Sequence, residues 1–277
     1  MAQSLVNPQG SPADPVAEAE RGHSPHLSTH PPTHPPAGES RQSPTEERVS
    51  PQAARETIIQ LRNVGKTYRN GSQALTGVNL DLKKGDFYLV TGPSGSGKST
   101  LLKLLYGEER ASSGEVKVDG CDLNTLRGDR LARLRRRIGV VFQDYKLISR
   151  RTVAENVAFV LWAQGYGRAE VERRLQPALK MVGLQHKAQA FPEELSGGEQ
   201  QRVSIARAIV GTPPILLADE PTGNLDPDNS RQILNILKRL NQIGITILVT
   251  THDESLIRSA DLPILQVRNG QLSLLQP

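Results

Sequence analysis

The chain has little that could cross-link it and little that could carry it through a membrane. One cysteine, Cys121, stands among 277 residues, which excludes a disulfide framework and a cysteine-ligated zinc site. A lone thiol suits a reducing compartment. Aromatic residues make up 4% of the chain, with a single tryptophan. No apolar stretch approaches the roughly twenty residues that a bilayer-spanning helix needs; the longest candidate, Val157 to Ala163, is about a third of that. If the protein works at a membrane, a partner supplies the span. No apolar run follows Met1, so no secretory leader is expected.

Residues 1–56 lack Phe, Tyr and Trp altogether, yet hold ten of the nineteen prolines and four of the six histidines. A segment this poor in large apolar groups cannot offset its ordering entropy by burial, so a disordered Pro/His-rich tail is expected. Its histidines sit among prolines, as in His-Pro-Pro-Thr-His-Pro-Pro at 30–36, without Cys or acidic companions at ligand spacing. That is the composition of a solvated linker rather than a metal site. The tail carries four basic and seven acidic residues, so residues 57–277 carry 30 basic and 22 acidic ones, a net of +8. Such a balance favours nucleic acid or an anionic membrane surface without choosing between them.

One segment of the remainder is a complete G-x-x-x-x-G-K-[ST] phosphate loop: Gly92-Pro93-Ser94-Gly95-Ser96-Gly97-Lys98-Ser99. It follows the strand-like Phe87-Tyr88-Leu89-Val90 and precedes the helix-like Thr100 to Leu105. The glycines let backbone N–H groups curl around an anion, and the helix adds its positive dipole end. Lys98 can then reach the β- and γ-phosphates, and the Ser99 hydroxyl can ligate Mg²⁺.

Alternation at Ile59 and Leu61, and at Val78, Leu80 and Leu82, predicts two strands around a hairpin signal, Asn70-Gly71. Residues 114–120 give another short strand ending at Asp119-Gly120. From about 125 to 192 the pattern is mostly helical. A run with six arginines, Arg127 to Arg137, leads into the strand Ile138 to Phe142. Thr152 is the expected N-cap of a helix to about Gln164. Val171, Leu175, Leu179 and Val182 share one face of the next helix, which Gly183 closes and Pro177 should kink or weaken. The last third alternates a strand at 215–218, a helix at 228–243 and a strand at 245–249. The fold class expected is α/β: a phosphate-loop core with a mainly parallel sheet, an antiparallel β subdomain and a helical subdomain over about 144–210.

Ligands of such sheets gather at the carboxyl ends of the strands. There, the apolar run 215–218 ends in Asp219 and Glu220. Asp219 can hold nucleotide-bound Mg²⁺. Glu220, pointing the other way along the pleat, can orient or deprotonate the attacking water. Taken alone, the pair equally suits a polar strand terminus. His252, past the strand 245–249, can hydrogen-bond the γ-phosphate, although a lone histidine there is more often structural. Gln143, past the strand 138–142, can coordinate Mg²⁺ and touch the water without adding charge. Finally, Leu195-Ser196-Gly197-Gly198-Glu199-Gln200 contains a capping box, Ser196-x-x-Glu199, at a glycine-bared helix start that binds anions. A second cradle is redundant within one chain. It makes sense if it closes on a nucleotide held by another copy.

This constellation, over about residues 57–276, resembles the ATP-binding-cassette ATPases. The resemblance implies ATP and Mg²⁺ as ligands, Tyr68 as the aromatic for adenine, and Asn224-Leu225-Asp226 at a dimer seam. It also implies a head-to-tail homodimer that buries two ATP molecules and opens on hydrolysis. About 97 residues separate Lys98 from Ser196, which leaves no room for the long coiled coil of chromosome-maintenance relatives. The segments 134–144, 151–157 and 217–226 look most like the bacterial cell-division branch, whose near relatives energise lipoprotein release and macrolide export. That likeness implies a peripheral protein at the cytoplasmic face of the cell membrane, bound to an integral membrane partner, with no nucleic acid partner. An exporter's energy-coupling subunit is the second reading. Tyr145, Leu147 and Ile148 in the stretch 144–157 are expected either to receive the membrane partner or to fill a seam between subdomains.

Overall fold

The structure, a computed structural model, describes residues 55–275. Residues 1–54 of the tail expected over 1–56, with all its histidines, lie outside the described residues. Arg55 and Glu56, counted with that tail, pair with Asp86 and Lys84 of the folded part.

In chain order the elements are β1 (Thr57–Thr67), β2 (Gln73–Lys83), β3 (Phe87–Thr91), α1 (Lys98–Leu105), β4 (Ser113–Val118), β5 (Cys121–Asp122), α2 (Gly128–Arg135) and β6 (Ile138–Val141). Then follow α3 (Val153–Ala163), α4 (Arg168–Val182), α5 (Gly197–Ile209), β7 (Ile215–Asp219), α6 (Pro227–Gln242), β8 (Thr246–Thr250), α7 (Glu254–Ala260), β9 (Ile264–Arg268) and β10 (Gln271–Leu275).

Two sheets result. One is antiparallel with strand order β2-β1-β4-β5. Its β1–β2 hairpin closes where the Tyr68 carbonyl accepts from the Gly71 N–H at 2.9 Å, as the Asn70-Gly71 signal predicts. The other has order β10-β9-β3-β8-β7-β6, parallel throughout except for the β9–β10 hairpin at its edge.

The parallel strands are short unbroken apolar runs because both of their faces are covered. Leu216, Ala218, Ile247 and Val249 look towards a core shared with α3, α4, α5 and α6. Ile215, Leu217 and Leu248 look the opposite way, into a core shared with α1 and the antiparallel sheet. One sheet thus separates two cores, and the alternation along β7 and β8 assigns each side chain to one of them.

Local signals place the helices. The Thr152 hydroxyl accepts from the Glu155 N–H at 3.2 Å, and Glu155 accepts from the Thr152 N–H at 2.8 Å, so α3 begins at a complete capping box. Helix α4 ends at Gly183, whose φ of 73° is the left-handed conformation glycine adopts without strain. The helix runs on through Pro177, which removes one donor from its ladder. Helices α3 and α4 both pack on α5, and α5 lies on β6 so closely that a Cβ on Gly139 would stand 2.6 Å from the Ala208 carbonyl oxygen. No helix among the described residues is long and apolar enough to cross a membrane.

Candidate active site

The four parallel strands β3, β6, β7 and β8 end at the same side of the sheet, and each leads into one piece of the expected site: residues 92–99, Gln143, Asp219-Glu220 and His252.

The loop after β3 wraps tightly. A Cβ on Gly92, at φ 150°, would stand 2.2 Å from the Val267 carbonyl oxygen, and one on Gly97, at φ 109°, would stand 2.4 Å from that of Ala74. Only glycine fits at either position. Gly97 precedes α1 without a side-chain cap, so the first N–H groups of the helix stay open to an anion. Ser96 Oγ is buried with no hydrogen-bond partner, a donor turned into the loop's interior. The buried Lys98 ammonium donates to the carbonyls of Gly92 (2.9 Å) and Pro93 (3.2 Å) and lies 3.6 Å from Glu220 Oε1. These features suit a polyphosphate: open N–H groups, an unpaired hydroxyl and a buried cation at the loop. Pro93, Ser94 and Gly95 lie on the exposed rim, and a Cβ on Gly95 would meet nothing.

Ser99 Oγ donates to Asp219 Oδ1 at 3.1 Å. Thr250, fully buried at the end of β8, donates to the same oxygen at 2.6 Å and accepts from the Glu220 N–H at 2.9 Å. One hydroxyl and one carboxylate suit Mg²⁺, which keeps waters and phosphate oxygens in its shell rather than an all-protein cage. Glu220 departs from the pleat expectation. It sits just beyond β7 at φ 45°, and that left-handed turn swings its carboxylate towards Lys98 and His252 instead of across the sheet. His252 Nδ1 lies 2.9 Å from Glu220 Oε2. Gln143 is exposed; its amide nitrogen and Glu220 Oε2 stand 3.5 and 3.6 Å from the point a Cβ on Gly223 would occupy, so both face that glycine. Lys98, Ser99, Asp219, Glu220 and His252 therefore form one chain of contacts, with Gln143 beside it. Thr250 is the member that sequence reasoning missed. Its only signal is a polar residue closing an apolar strand, which means nothing until β7 and β8 are known to be neighbours.

Tyr68 is half-buried. Its hydroxyl lies 3.1 Å from Thr100 Oγ1, and the Lys66 ammonium sits 4.9 Å above its ring.

The signature segment is built separately. Ser196 Oγ accepts from the Glu199 N–H at 3.3 Å, and Glu199 Oε2 accepts from the Ser196 N–H at 2.9 Å. Lys187 lies 2.7 Å from Glu199 Oε1 and holds this carboxyl down at about 2, with help from the Ser196 hydrogen bonds. A Cβ on Gly198 would stand 2.2 Å from Asn229 Oδ1, so α5 and α6 touch at that glycine; Asp226 caps α6 by accepting from the Asn229 N–H at 2.9 Å. Among the described residues, no hydrogen bond or ion pair joins Ser196 or Glu199 to the phosphate loop.

The stretch after Gln143 resolves in part towards the seam. Leu147 packs on the helical core and the Tyr145 hydroxyl abuts Gly197. The exposed apolar groups nearby are Phe159 (42%) and Trp162 (44%) on α3, both beneath the Arg151 guanidinium.

The family model described as ABC transporter matches residues 75–223. The chain belongs to that family: it is an ATP-binding-cassette ATPase. It is similar to the cell division ATP-binding protein FtsE of Streptococcus pneumoniae, 47% identical over 216 residues, 78% of this chain and 94% of that protein. It is likewise similar to FtsE of Escherichia coli, 46% identical over 215 residues, 78% of this chain and 97% of that protein. Among solved structures, it resembles an ATP-binding cassette determined as a dimer in a post-hydrolysis state with ADP and Pi. Identity there is 40% and the TM-score 0.71, over 79% of this chain and all of that one.

Proposed function

We propose that this cassette is the ATP-hydrolysing subunit of a cell-division-type membrane complex. ATP-driven dimerisation would be coupled to an integral membrane partner resembling FtsX, and through it to peptidoglycan hydrolysis beyond the membrane. The protein then sits peripherally at the cytoplasmic face. Its likeness to FtsE supports this reading, and the observation that carries the chemistry is the contact chain from Ser99 through Asp219 and Glu220 to Lys98 and His252.

In this reading Tyr68 stacks on adenine while the N–H groups of 92–100 and Lys98 hold the phosphates. Mg²⁺, held by Ser99 and Asp219 with Gln143 alongside, offsets phosphate charge when bound. Thr250 fixes the Asp219 carboxylate and the Glu220 backbone, so the two acids keep separate tasks. Glu220 accepts the proton of the attacking water as general base, and His252 beside it contacts the γ-phosphate. Ser196, Gly197, Gly198 and Glu199 present the start of α5 to the nucleotide of a second copy. The capping box keeps that helix end ordered without filling it.

The test is Glu220→Gln. ATP binding should persist while turnover falls by about a hundredfold or more, the scale of a lost general base. Near-normal turnover would remove Glu220 from that role.

A further inference from the structure

The turn that follows Gln143 is held by a residue that no motif names. Tyr145 and Lys146 both adopt left-handed backbone, at φ 54° and 52°. Two consecutive residues with side chains are strained there, and such a turn persists only where its surroundings impose it. The imposition comes from Arg207, in the last turn of α5. Its Nη2 donates to the Tyr145 carbonyl at 2.7 Å and its Nη1 to the Lys146 carbonyl at 2.5 Å. Among the described residues this guanidinium has no carboxylate partner, and burial pulls its pKa below the ordinary arginine value. Two carbonyl dipoles are what it faces. Successive carbonyls point the same way in a helical turn of either hand and alternate in extended chain. A planar fork therefore grips both oxygens in this helical turn and would lose one of them in extended chain.

Helix α5 reaches the same turn from its other end. The Tyr145 hydroxyl stands 3.0 Å from where a Cβ on Gly197 would be. One helix, about 20 Å long at 1.5 Å per residue, thus holds the side chain of Tyr145 at its start and the backbone at its finish. Beyond the turn, the fully buried Asn156 accepts from the Ile148 N–H (2.7 Å) and donates to the carbonyls of Ile148 (3.1 Å) and Arg151 (2.9 Å). The chain leaving Gln143 is anchored at both ends of its path to α3.

We propose that Arg207 is a positioning residue for hydrolysis. It locks the turn behind Gln143 to the helix that begins at Ser196, so that the amide serving a subunit's own nucleotide and the helix end serving the second copy's nucleotide move as one piece. The inference rests on the role given to Gln143 above.

Full-length protein carrying Arg207→Lys tests it, because lysine keeps the charge and loses the fork. Steady-state turnover, ATP affinity and melting temperature are measured together, beside Gln143→Ala and the double variant Arg207→Lys with Lys146→Gly. Glycine takes positive φ without steric strain, so the second change lets the turn form with less help. Arg207→Lys should lower kcat about tenfold with ATP affinity held within about twofold, and the added glycine should restore at least about threefold. Three results overturn the proposal: unchanged kcat, a kcat loss matched by lost affinity and melting temperature, or no recovery in the double variant. If Gln143→Ala leaves kcat unchanged, the reading of Gln143 falls and takes the inference with it. If Gln143→Ala lowers kcat and Arg207→Lys does not, the inference alone falls.

Discussion

Glu199 shows how a single side chain can serve order rather than chemistry. Its carboxylate accepts from the Ser196 N–H and pairs with Lys187, and the folded state holds its pKa at about 2 against an ordinary 4.5. A depressed carboxyl pKa contributes stability that is fully present above about pH 4.5 and is lost as the pH falls towards 2. Glu199→Gln keeps the shape and a capping acceptor but not the charge. Urea unfolding should find wild type the more stable protein at pH 7, with the gap narrowing steadily from pH 5 to pH 3.5. A gap that stays constant with pH would show that the Lys187 pair contributes nothing. Residues of this kind were legible before any fold was known, because a capping box and a phosphate loop are local patterns. Thr250 and Arg207 were not. Thr250 acts across the β7–β8 pairing, and Arg207 acts on two backbone carbonyls some sixty positions away, which no side-chain pattern announces. The left-handed turn at Glu220 was hidden for a related reason: alternation predicts facing only as long as the strand continues, and β7 stops at Asp219.

At the scale of elements, the contact between α5 and α6 decides where the signature segment points. Gly198 lies against Asn229, and the same asparagine donates from its backbone to the Asp226 cap. A methyl group at 198 meets Asn229 Oδ1 at 2.2 Å and its Cγ at 2.5 Å, so the Asn229 side chain must give up its place or one helix must shift. Gly198→Ala should therefore leave ATP binding by the isolated subunit intact and lower turnover at least about tenfold, since a displacement of about an ångström costs more than that in well-oriented reactions. Turnover within twofold of wild type would mean that the fit at Gly198 is not needed. Most elements could be read from their own boundaries: Thr152 and Ser196 open helices, Gly183 and Gly244 follow them, and Asn70-Gly71 closes a hairpin. The β9–β10 hairpin escaped, although Asn269-Gly270 at φ 49° and 75° is the same signal. The strand order could not be read at all, because parallel neighbours are joined through helices whose sequence does not say which strand comes next.

The whole molecule needs two surfaces to act as proposed, one for the membrane partner and one for a second copy. For the first, the exposed aromatic pair on α3 replaces Tyr145 and Leu147 as the place to probe, since those two are engaged inside. Phe159→Asp with Trp162→Asp should abolish co-purification with the membrane partner while soluble ATP hydrolysis and melting temperature stay near wild type. Retained binding would place the partner elsewhere. The second surface carries the central claim, that the phosphate loop of one subunit and Ser196 of another enclose each ATP. It is tested most directly by sedimentation of the Glu220→Gln protein with and without ATP, and of the same protein carrying Ser196→Arg. An ATP-dependent dimer is expected for Glu220→Gln, and a monomer that still binds ATP once Ser196→Arg is added. A dimer that forms equally well with arginine at 196 would contradict it.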